Sequence, residues 1–201
     1  MYTGVMLSAI KPKAEKALKP LAYLLRHVNP NTISATGLIF PVLFFVCVFE
    51  GLYWWALAVF VFNGVDMLDG MVARAQGKVT AFGGFLDSTI DRFADFTVLV
   101  AFGFAGIVGW HIVLPLVMLT YLISYIRSRT ELAAKGKLVA NVGLIERTER
   151  LIIIFVGLAL YAIFPAVRIA GQNLAACTFV LLILLSVYTV GQRLTFAYKK
   201  L

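Results

Sequence analysis

The feature that most constrains this chain is a set of long stretches without a charged side chain. They cover residues 27–49, 51–65, 96–126, 151–167 and 169–192. The whole sequence is 61% hydrophobic and only 14% charged, whereas soluble domains carry about 25% charged residues. A water-soluble fold of this size would lack polar side chains to cover its surface. A helix needs roughly 20 apolar residues to cross a bilayer, so the pattern predicts an all-α membrane protein.

The lengths of these stretches predict six transmembrane helices in one membrane domain over residues 1–201. The stretch 96–126 is too long for one span and contains a break at Gly103–His111. The stretch 51–65 is too short, so its helix must continue into the acidic segment that follows. We therefore expect helices at about 31–50, 53–76, 82–105, 110–134, 146–165 and 171–195.

The basic residues predict the orientation of these helices. An even number of spans puts both termini on one side, and all but one of the 18 Lys and Arg residues then fall there, Arg168 being the exception. The positive-inside rule makes that face cytoplasmic. We therefore expect a multi-pass protein of the cell membrane. The chain has a formal net charge of +8, and we expect no nucleic-acid partner.

Residues 1–30 predict an amphipathic juxtamembrane segment. Leu18, Leu21 and Leu25 lie near helical spacing, with lysines such as Lys16 on the other side. Such a helix would rest on the cytoplasmic leaflet. The segment lacks the long apolar region and cleavage site of a signal peptide. A disordered basic tail is the alternative.

Every aspartate of the chain lies between positions 66 and 95, around the connection between the second and third predicted helices. Asp66 and Asp69 are three residues apart, and Asp87 and Asp91 are four apart, so each pair lies on one helix face. Charged residues in membrane segments are costly and mark functional sites. The carboxylates would repel each other without a cation, and hard divalent cations prefer oxygen ligands. The pattern therefore predicts a metal site for phosphoryl transfer.

The acidic segment resembles the signature of CDP-alcohol phosphotransferases, D-x2-D-G-x2-A-R-x8-G-x3-D-x3-D. Isoprenyl transferases also hold magnesium with Asp-rich helices, but their D-D-x-x-D segments lack the G-x-x-A-R present here. An EF-hand loop needs a Glu at its twelfth position, which is absent. The fixed positions of the signature are matched by Asp66, Asp69, Gly70, Ala73, Arg74, Gly83, Asp87 and Asp91.

The resemblance implies a six-helix membrane fold with an amphipathic N-terminal helix, usually as a homodimer. It also implies a bound metal, with two Mg²⁺ ions per site or Mn²⁺ in their place. Asp91 would serve as general base as well as ligand. Asp95 lies outside the signature, and we expect it to pair with a nearby arginine. The implied metal ligands are Asp66, Asp69, Asp87 and Asp91, and the implied contacts to the CDP-lipid are Asn31, Thr32, Gly70, Ala73, Arg74 and Thr80.

Arginines gather at the cytoplasmic ends of the last three predicted helices. Guanidinium groups fit phosphate oxygens bidentately, so we expect an acceptor alcohol that carries a phosphate, unlike serine or choline. Membrane orientation or contact with anionic lipids is the alternative explanation. The arginines expected to bind the acceptor phosphate are Arg127, Arg129, Arg147, Arg150 and Arg193.

Two strings in this region, S-Y-I-R-x-R and I-E-R-x-E-R, resemble the phosphatidylinositol phosphate synthase branch of the family and its archaeal counterpart. The implied reaction moves a phosphatidyl or archaetidyl group from a CDP-lipid to myo-inositol 1-phosphate and releases CMP at the cytoplasmic face. Diacyl and archaeol tails both remain open. The same chemistry with glycerol 3-phosphate, and a non-catalytic carrier, remain alternatives.

Overall fold

The computed structural model describes residues 23, 30–62, 67–77, 79–140 and 142–201. For residues 30, 31, 33, 34, 62 and 67–70 it describes the backbone alone. The expected amphipathic segment therefore lies almost wholly outside the described residues, and so does Asp66. The described chain is mostly helical and forms two compact units, with the boundary between Ala101 and Phe102.

The described part of the first unit consists of helices. Two apolar helices pack against each other through an edge-on contact of the Phe44 and Phe60 rings, whose centroids are 5.2 Å apart. The helices are α1 (Pro30–Gly37), α2 (Ile39–Phe49), α3 (Tyr53–Phe62), α4 (Met67–Ala75) and the greater part of α5 (Ala81–Phe104).

The second unit contains the end of α5, three further helices and a short hairpin. Helix α8 packs against both α6 and α7. Its buried residues, among them Phe179, Leu182, Ser186, Thr189 and Arg193, recur every three or four positions and so form one stripe. The elements are α6 (Trp110–Ala133), α7 (Arg147–Ile163), β1 (Arg168–Ile169), β2 (Gln172–Asn173) and α8 (Leu174–Lys200).

Helices α6 and α8 run parallel, and hydrogen bonds join the two segments near the start of α8 and again near its end. Asn173 caps α8 by accepting a hydrogen bond from Ala176 N at 2.8 Å, and its Nδ2 donates to Ile107 O just before α6. Further along, Arg193 Nη1 donates to Ile123 O at 2.6 Å. Side chains about 70 positions apart in sequence are thus neighbours across this interface.

The lengths and surfaces of the second-unit helices suit a lipid environment. Among the described residues, α6 and α8 are long and apolar enough to cross a bilayer. They have 24 and 27 residues, and their mean hydropathy over an 18-residue stretch is 1.4 and 2.3. Both expose large apolar side chains, such as Leu114 and Met118 on α6 and Leu184 and Val187 on α8. An outward apolar face of this kind is expected where lipid is the solvent.

The last four predicted helices coincide with the described helices α5 to α8. The second predicted helix is described over α3 and α4, and residues 63–66 between them lie outside the described part of the chain. Helix α5 ends at Phe104 and α6 begins at Trp110, so the expected break lies where it was predicted. The first predicted helix is interrupted at Leu38, between α1 and α2. Pro41 accounts for the interruption, because it has no N–H and its ring clashes with the carbonyl four residues earlier, at Gly37. The six-span count and the single domain stay predictions.

Candidate active site

The two halves of the acidic signature lie on successive helices, α4 and α5. Gly77 follows α4 with a φ of +64°, the left-handed conformation that commonly ends a helix. Thr80 then caps α5, its Oγ1 accepting a hydrogen bond from Gly83 N at 3.0 Å. Thr80, an expected CDP-lipid contact, thus has a structural role that the signature alone did not indicate.

Asp87 and Asp91 lie one turn apart on α5 and are both half-buried. Asp91 Oδ2 lies 3.5 Å from Arg92 Nη2. Within the described part of the chain no three Asp, Glu, His or Cys residues converge on one point, but Asp66 and the side chain of Asp69 lie outside that part. The two described carboxylates are hard oxygen donors on one face, which fits a divalent cation.

Asp95 lies one turn beyond Asp91 on the same face of α5, but it is buried in the packing of the protein. It is only 3% exposed, and its Oδ2 lies 3.9 Å from Arg92 Nε. This is the arginine pairing that we expected for Asp95. Arg92 itself was not singled out from the sequence. Its position beside both Asp91 and Asp95 follows from adjacency and the i,i+3 spacing on a helix.

The residues expected to contact the CDP-lipid lie on three elements of the first unit. Helix α1, which carries Asn31 and Thr32, packs against α4, which carries Gly70, Ala73 and Arg74. Thr32 and Arg74 are exposed, and Ala73 is half-buried. A Cβ atom added at Gly84 on α5 would meet no atom within 4 Å. The described surface beside the signature is therefore open.

The expected acceptor arginines lie in the second unit and differ strongly in burial. Arg150 is 2% exposed and Arg193 is 5% exposed, whereas Arg129 is exposed. Arg127 and Arg147 are half-buried. Full burial of arginine is rare unless other groups compensate its charge, so Arg150 and Arg193 are the two arginines of this set that the fold itself encloses.

Arg193 lies at the centre of a charged group that we call the arginine cluster: Arg127, Arg150 and Arg193 with Glu131 and Glu146. Arg127, Arg150, Glu131 and Glu146 are the side chains whose charges act on Arg193. Arg127 Nε donates to Glu131 Oε1 at 3.2 Å. Three guanidinium groups and two carboxylates thus lie in one neighbourhood around Arg193.

Arg193 also makes backbone contacts that the sequence did not predict. Its Nε donates to Val142 O at 2.8 Å, and its Nη1 donates to Ile123 O. Part of its hydrogen-bonding capacity therefore holds the loop before α7 to α6. Arg150 lies in the first turn of α7, which Glu146 and Glu149 begin with a reciprocal capping box. Because the aspartates belong to the first unit and the arginine cluster to the second, their convergence stays a prediction.

Similar proteins are found both by sequence and by structure. A model of the CDP-alcohol phosphatidyltransferase family matches residues 27–191. The archaetidylinositol phosphate synthase of Pyrococcus horikoshii is 38% identical over 194 residues, which cover 94% of this chain and 98% of that protein. The phosphatidylinositol phosphate synthase of Cutibacterium acnes is 34% identical over 206 residues, which cover 94% and 96%.

Two crystal structures of the phosphatidylinositol phosphate synthase of Mycobacterium tuberculosis resemble this fold. The structure with CDP-DAG bound has a TM-score of 0.76 and 30% identity, and the match covers 89% of this chain and 92% of that one. The structure in complex with manganese and citrate has a TM-score of 0.75 and 31% identity, and the match covers 89% and 88%.

Proposed function

This chain belongs to the CDP-alcohol phosphatidyltransferase family, and from that premise we propose that it transfers the lipid phosphate of a CDP-lipid to myo-inositol 1-phosphate and releases CMP. As a member of this family it is a transferase of phospholipid biosynthesis. A non-catalytic carrier is therefore no longer supported. Glycerol 3-phosphate remains the competing acceptor.

The observation that carries the choice of acceptor is the arginine cluster. Arg150 and Arg193 are buried, and the charges of Arg127 and Arg150 both act on Arg193. An acceptor that brings its own phosphate could bind these side chains, since guanidinium and phosphate groups pair bidentately. Serine and choline would not. The similar archaetidylinositol phosphate synthase and phosphatidylinositol phosphate synthase reported above support the same acceptor class.

The donor side of the proposed site is the acidic signature. Asp66, Asp69, Asp87 and Asp91 would hold two Mg²⁺ ions, with Mn²⁺ as a substitute, and the manganese in the M. tuberculosis structure supports a divalent ion. Such ions neutralise the charge of the pyrophosphate and of the departing CMP. Asn31, Thr32, Gly70, Ala73, Arg74 and Thr80 would bind the CDP part of the donor, and the open surface at Gly84 leaves room for it.

In the proposed reaction Asp91 accepts the proton of the acceptor hydroxyl. The hydroxyl oxygen forms a bond to the lipid-side phosphorus while the bond from that phosphorus to the CMP oxygen breaks. Arg127, Arg129, Arg147, Arg150 and Arg193 hold the phosphate that the acceptor already carries, so this phosphate is not transferred. Holding both substrates converts a bimolecular encounter into a positioned reaction.

The proposed setting is the cell membrane, with six spans, both termini in the cytoplasm and the active site on the cytoplasmic face. The charge asymmetry around Arg168 supports this orientation. The partners are the CDP-lipid, inositol phosphate, the surrounding lipids and a second copy of the chain in a homodimer. The lipid tails meet generic apolar side chains, which suit diacyl and archaeol chains alike.

The function is tested by measuring CMP release from purified protein with a CDP-lipid and Mg²⁺. Four acceptors are compared: inositol 1-phosphate, free inositol, glycerol 3-phosphate and serine. Inositol 1-phosphate should be used best, and free inositol poorly, because the arginine cluster would then face no anion. Asp91→Asn is the inactive control. A preference for glycerol 3-phosphate, or equal use of free inositol, would reject the acceptor assignment and leave the family untouched.

A further inference from the structure

The loop between α6 and α7, described at residues 134–140 and 142–146, is tied to α6 and to α8. On α6, Glu131 Oε1 accepts a hydrogen bond from Ala140 N at 3.1 Å. On α8, Arg193 Nε donates to Val142 O at 2.8 Å. These bonds use side chains of the arginine cluster itself, so the loop and the cluster are parts of one hydrogen-bonded arrangement.

Two further side chains of α8 hold the last loop residues before α7. Gln192 Oε1 accepts from Leu144 N at 2.9 Å, and Thr189 Oγ1 accepts from Ile145 N at 3.1 Å. Residues 189, 192 and 193 are three and four positions apart, so they share one face of α8. Thr189 has no exposed surface, so its bond to the loop is shielded from competing water.

Gly143 allows this close approach between the loop and α8. Its φ of +152° lies in a region that side chains rarely adopt, and a Cβ atom there would lie 2.8 Å from Thr189 Cγ2. The same Cβ would lie 3.3 Å from Arg193 Nε. Only glycine fits both the backbone conformation and the available space. Gly143 therefore lets the loop backbone lie close to Thr189 and Arg193.

The loop ends where the proposed acceptor-binding helix begins. Glu146 is the N-cap of α7, Arg147 is its first residue, and Arg150 N donates to Glu146 O at 3.2 Å. Any shift of Leu144 and Ile145 moves this cap and the buried Arg150 with it. The contacts from α8 thus hold the residues directly before the helix that carries Arg150.

We propose that Thr189 and Gln192 are positioning residues for the acceptor phosphate. They hold the loop before α7 so that Arg147 and Arg150 stand where the phosphate of the acceptor binds. This rests on the proposed function, in which those arginines bind that phosphate. Thr189 and Gln192 act through the loop backbone, so their loss should weaken acceptor binding and leave donor binding as it is.

The test is a pair of substitutions, Thr189→Val and Gln192→Leu, each of which removes one hydrogen-bond acceptor from the loop. The apparent KM for inositol 1-phosphate and for the CDP-lipid is measured on the purified full chain. A lost hydrogen bond of ordinary strength should raise the KM for inositol 1-phosphate about 3–10-fold. The KM for the CDP-lipid should change by less than about twofold, which is the scatter of neutral substitutions. Thr189→Ser keeps the hydroxyl, so its KM for inositol 1-phosphate should equal that of the wild type.

Thr195→Val is the matched control. Thr195 lies on the same helix, and its Oγ1 donates to Gly191 O at 2.8 Å, as Thr189 Oγ1 donates to Leu185 O at 2.9 Å. Thr195 is exposed and bonds no loop residue in the described part of the chain, so both KM values should stay at wild type. The half-buried Gln192 carries the test if Thr189→Val does not fold.

The possible outcomes separate this inference from the proposed function. If wild type uses inositol 1-phosphate but Gln192→Leu and Thr189→Val keep its KM, the positioning role is wrong and the function stands. If both KM values rise equally in Thr189→Val and also in Thr189→Ser, the two residues serve only general packing, and this result would also overturn the inference. If wild type does not use inositol 1-phosphate at all, the proposed function fails.

Discussion

The three aspartates of α5 differ in how deeply they are buried. Asp87 and Asp91 lie on a half-buried face of the signature, whereas Asp95 is buried and paired with Arg92. The spacing of the signature was readable from the sequence because helical geometry relates i, i+3 and i+4 directly. The depth of Asp95 was not, because burial depends on which elements pack over it.

Asp87→Ala should abolish CMP release in a protein that still folds. Removing a group of the reaction centre costs roughly 10²–10⁴ in rate. Asp95→Asn is the control on the same helix. It weakens the pair with Arg92, so the melting temperature should fall while kcat stays within about tenfold, since groups outside the reaction centre contribute less than the range above. Full activity in Asp87→Ala would reject the metal site, and an inactive, folded Asp95→Asn would show that Asp95 belongs to it.

Arg150→Ala should raise the KM for inositol 1-phosphate with little change in the KM for the CDP-lipid. Hydrogen bonds to charged groups are worth about 1.5–3 kcal/mol, which corresponds to roughly 10–150-fold in affinity. Arg74→Ala, on the donor side, should show the opposite pattern. Were both substitutions to change the same KM, the division into a donor and an acceptor side would be wrong.

Arg193 makes tertiary contacts that its place in the sequence does not reveal. Its position near the end of the last helix was enough to expect a phosphate-binding arginine. Its bonds to Val142 O and Ile123 O join groups 51 and 70 positions apart, and such contacts arise only from the tertiary arrangement. Arg193→Ala should therefore lower stability as well as acceptor affinity, whereas Arg129→Ala, at an exposed position, should lower affinity alone.

At the scale of the elements, helix packing in the second unit depends on a small residue. Gly157 is a buried residue of α7, and a Cβ atom there would overlap the side chain of Thr178 on α8. Small residues at such contacts let membrane helices approach closely. The composition indicated a bundle of apolar helices, but which glycine lies at a helix contact could not be told without the packing.

Gly157→Ala should therefore destabilise the protein by about 1–3 kcal/mol, the usual cost of overpacking. Thermal unfolding of the purified protein in detergent measures the change. Gly191→Ala on α8 is the control, because its Cβ would meet no atom within 4 Å, and it should be neutral or slightly stabilising. Thr178→Ala should partly rescue Gly157→Ala. Equal melting temperatures for the two glycine variants would contradict the packing described for α7 and α8.

For the whole molecule, the charge-free stretches were the most informative part of the sequence. The bilayer requires every span to satisfy its own backbone hydrogen bonds, so helix positions follow from composition, and α5 to α8 lie close to the predicted ranges. The interruption at Leu38 was missed because the effect of Pro41 is local and the run around it is uniformly apolar. The arrangement of the two units relative to the membrane stays a prediction.

The proposed topology predicts that the hairpin of β1 and β2 faces away from the cytoplasm. In a variant without Cys47 and Cys177, Gln172→Cys should react with a membrane-impermeant thiol reagent added to intact cells. Lys199→Cys should react only after permeabilisation. Both positions are exposed in the structure, so accessibility differs only through the membrane. Labelling of Lys199→Cys in intact cells would contradict the cytoplasmic position of the C-terminal end of α8.

The central claim is that an acceptor carrying its own phosphate is joined whole to the lipid, and a labelled acceptor tests it most directly. Inositol 1-phosphate with a ³²P label is incubated with the protein, a CDP-lipid and Mg²⁺, and label in the lipid phase is compared with the CMP released. The account predicts that one labelled phosphate enters the lipid phase for each CMP. CMP release while the label stays in the aqueous phase would contradict it.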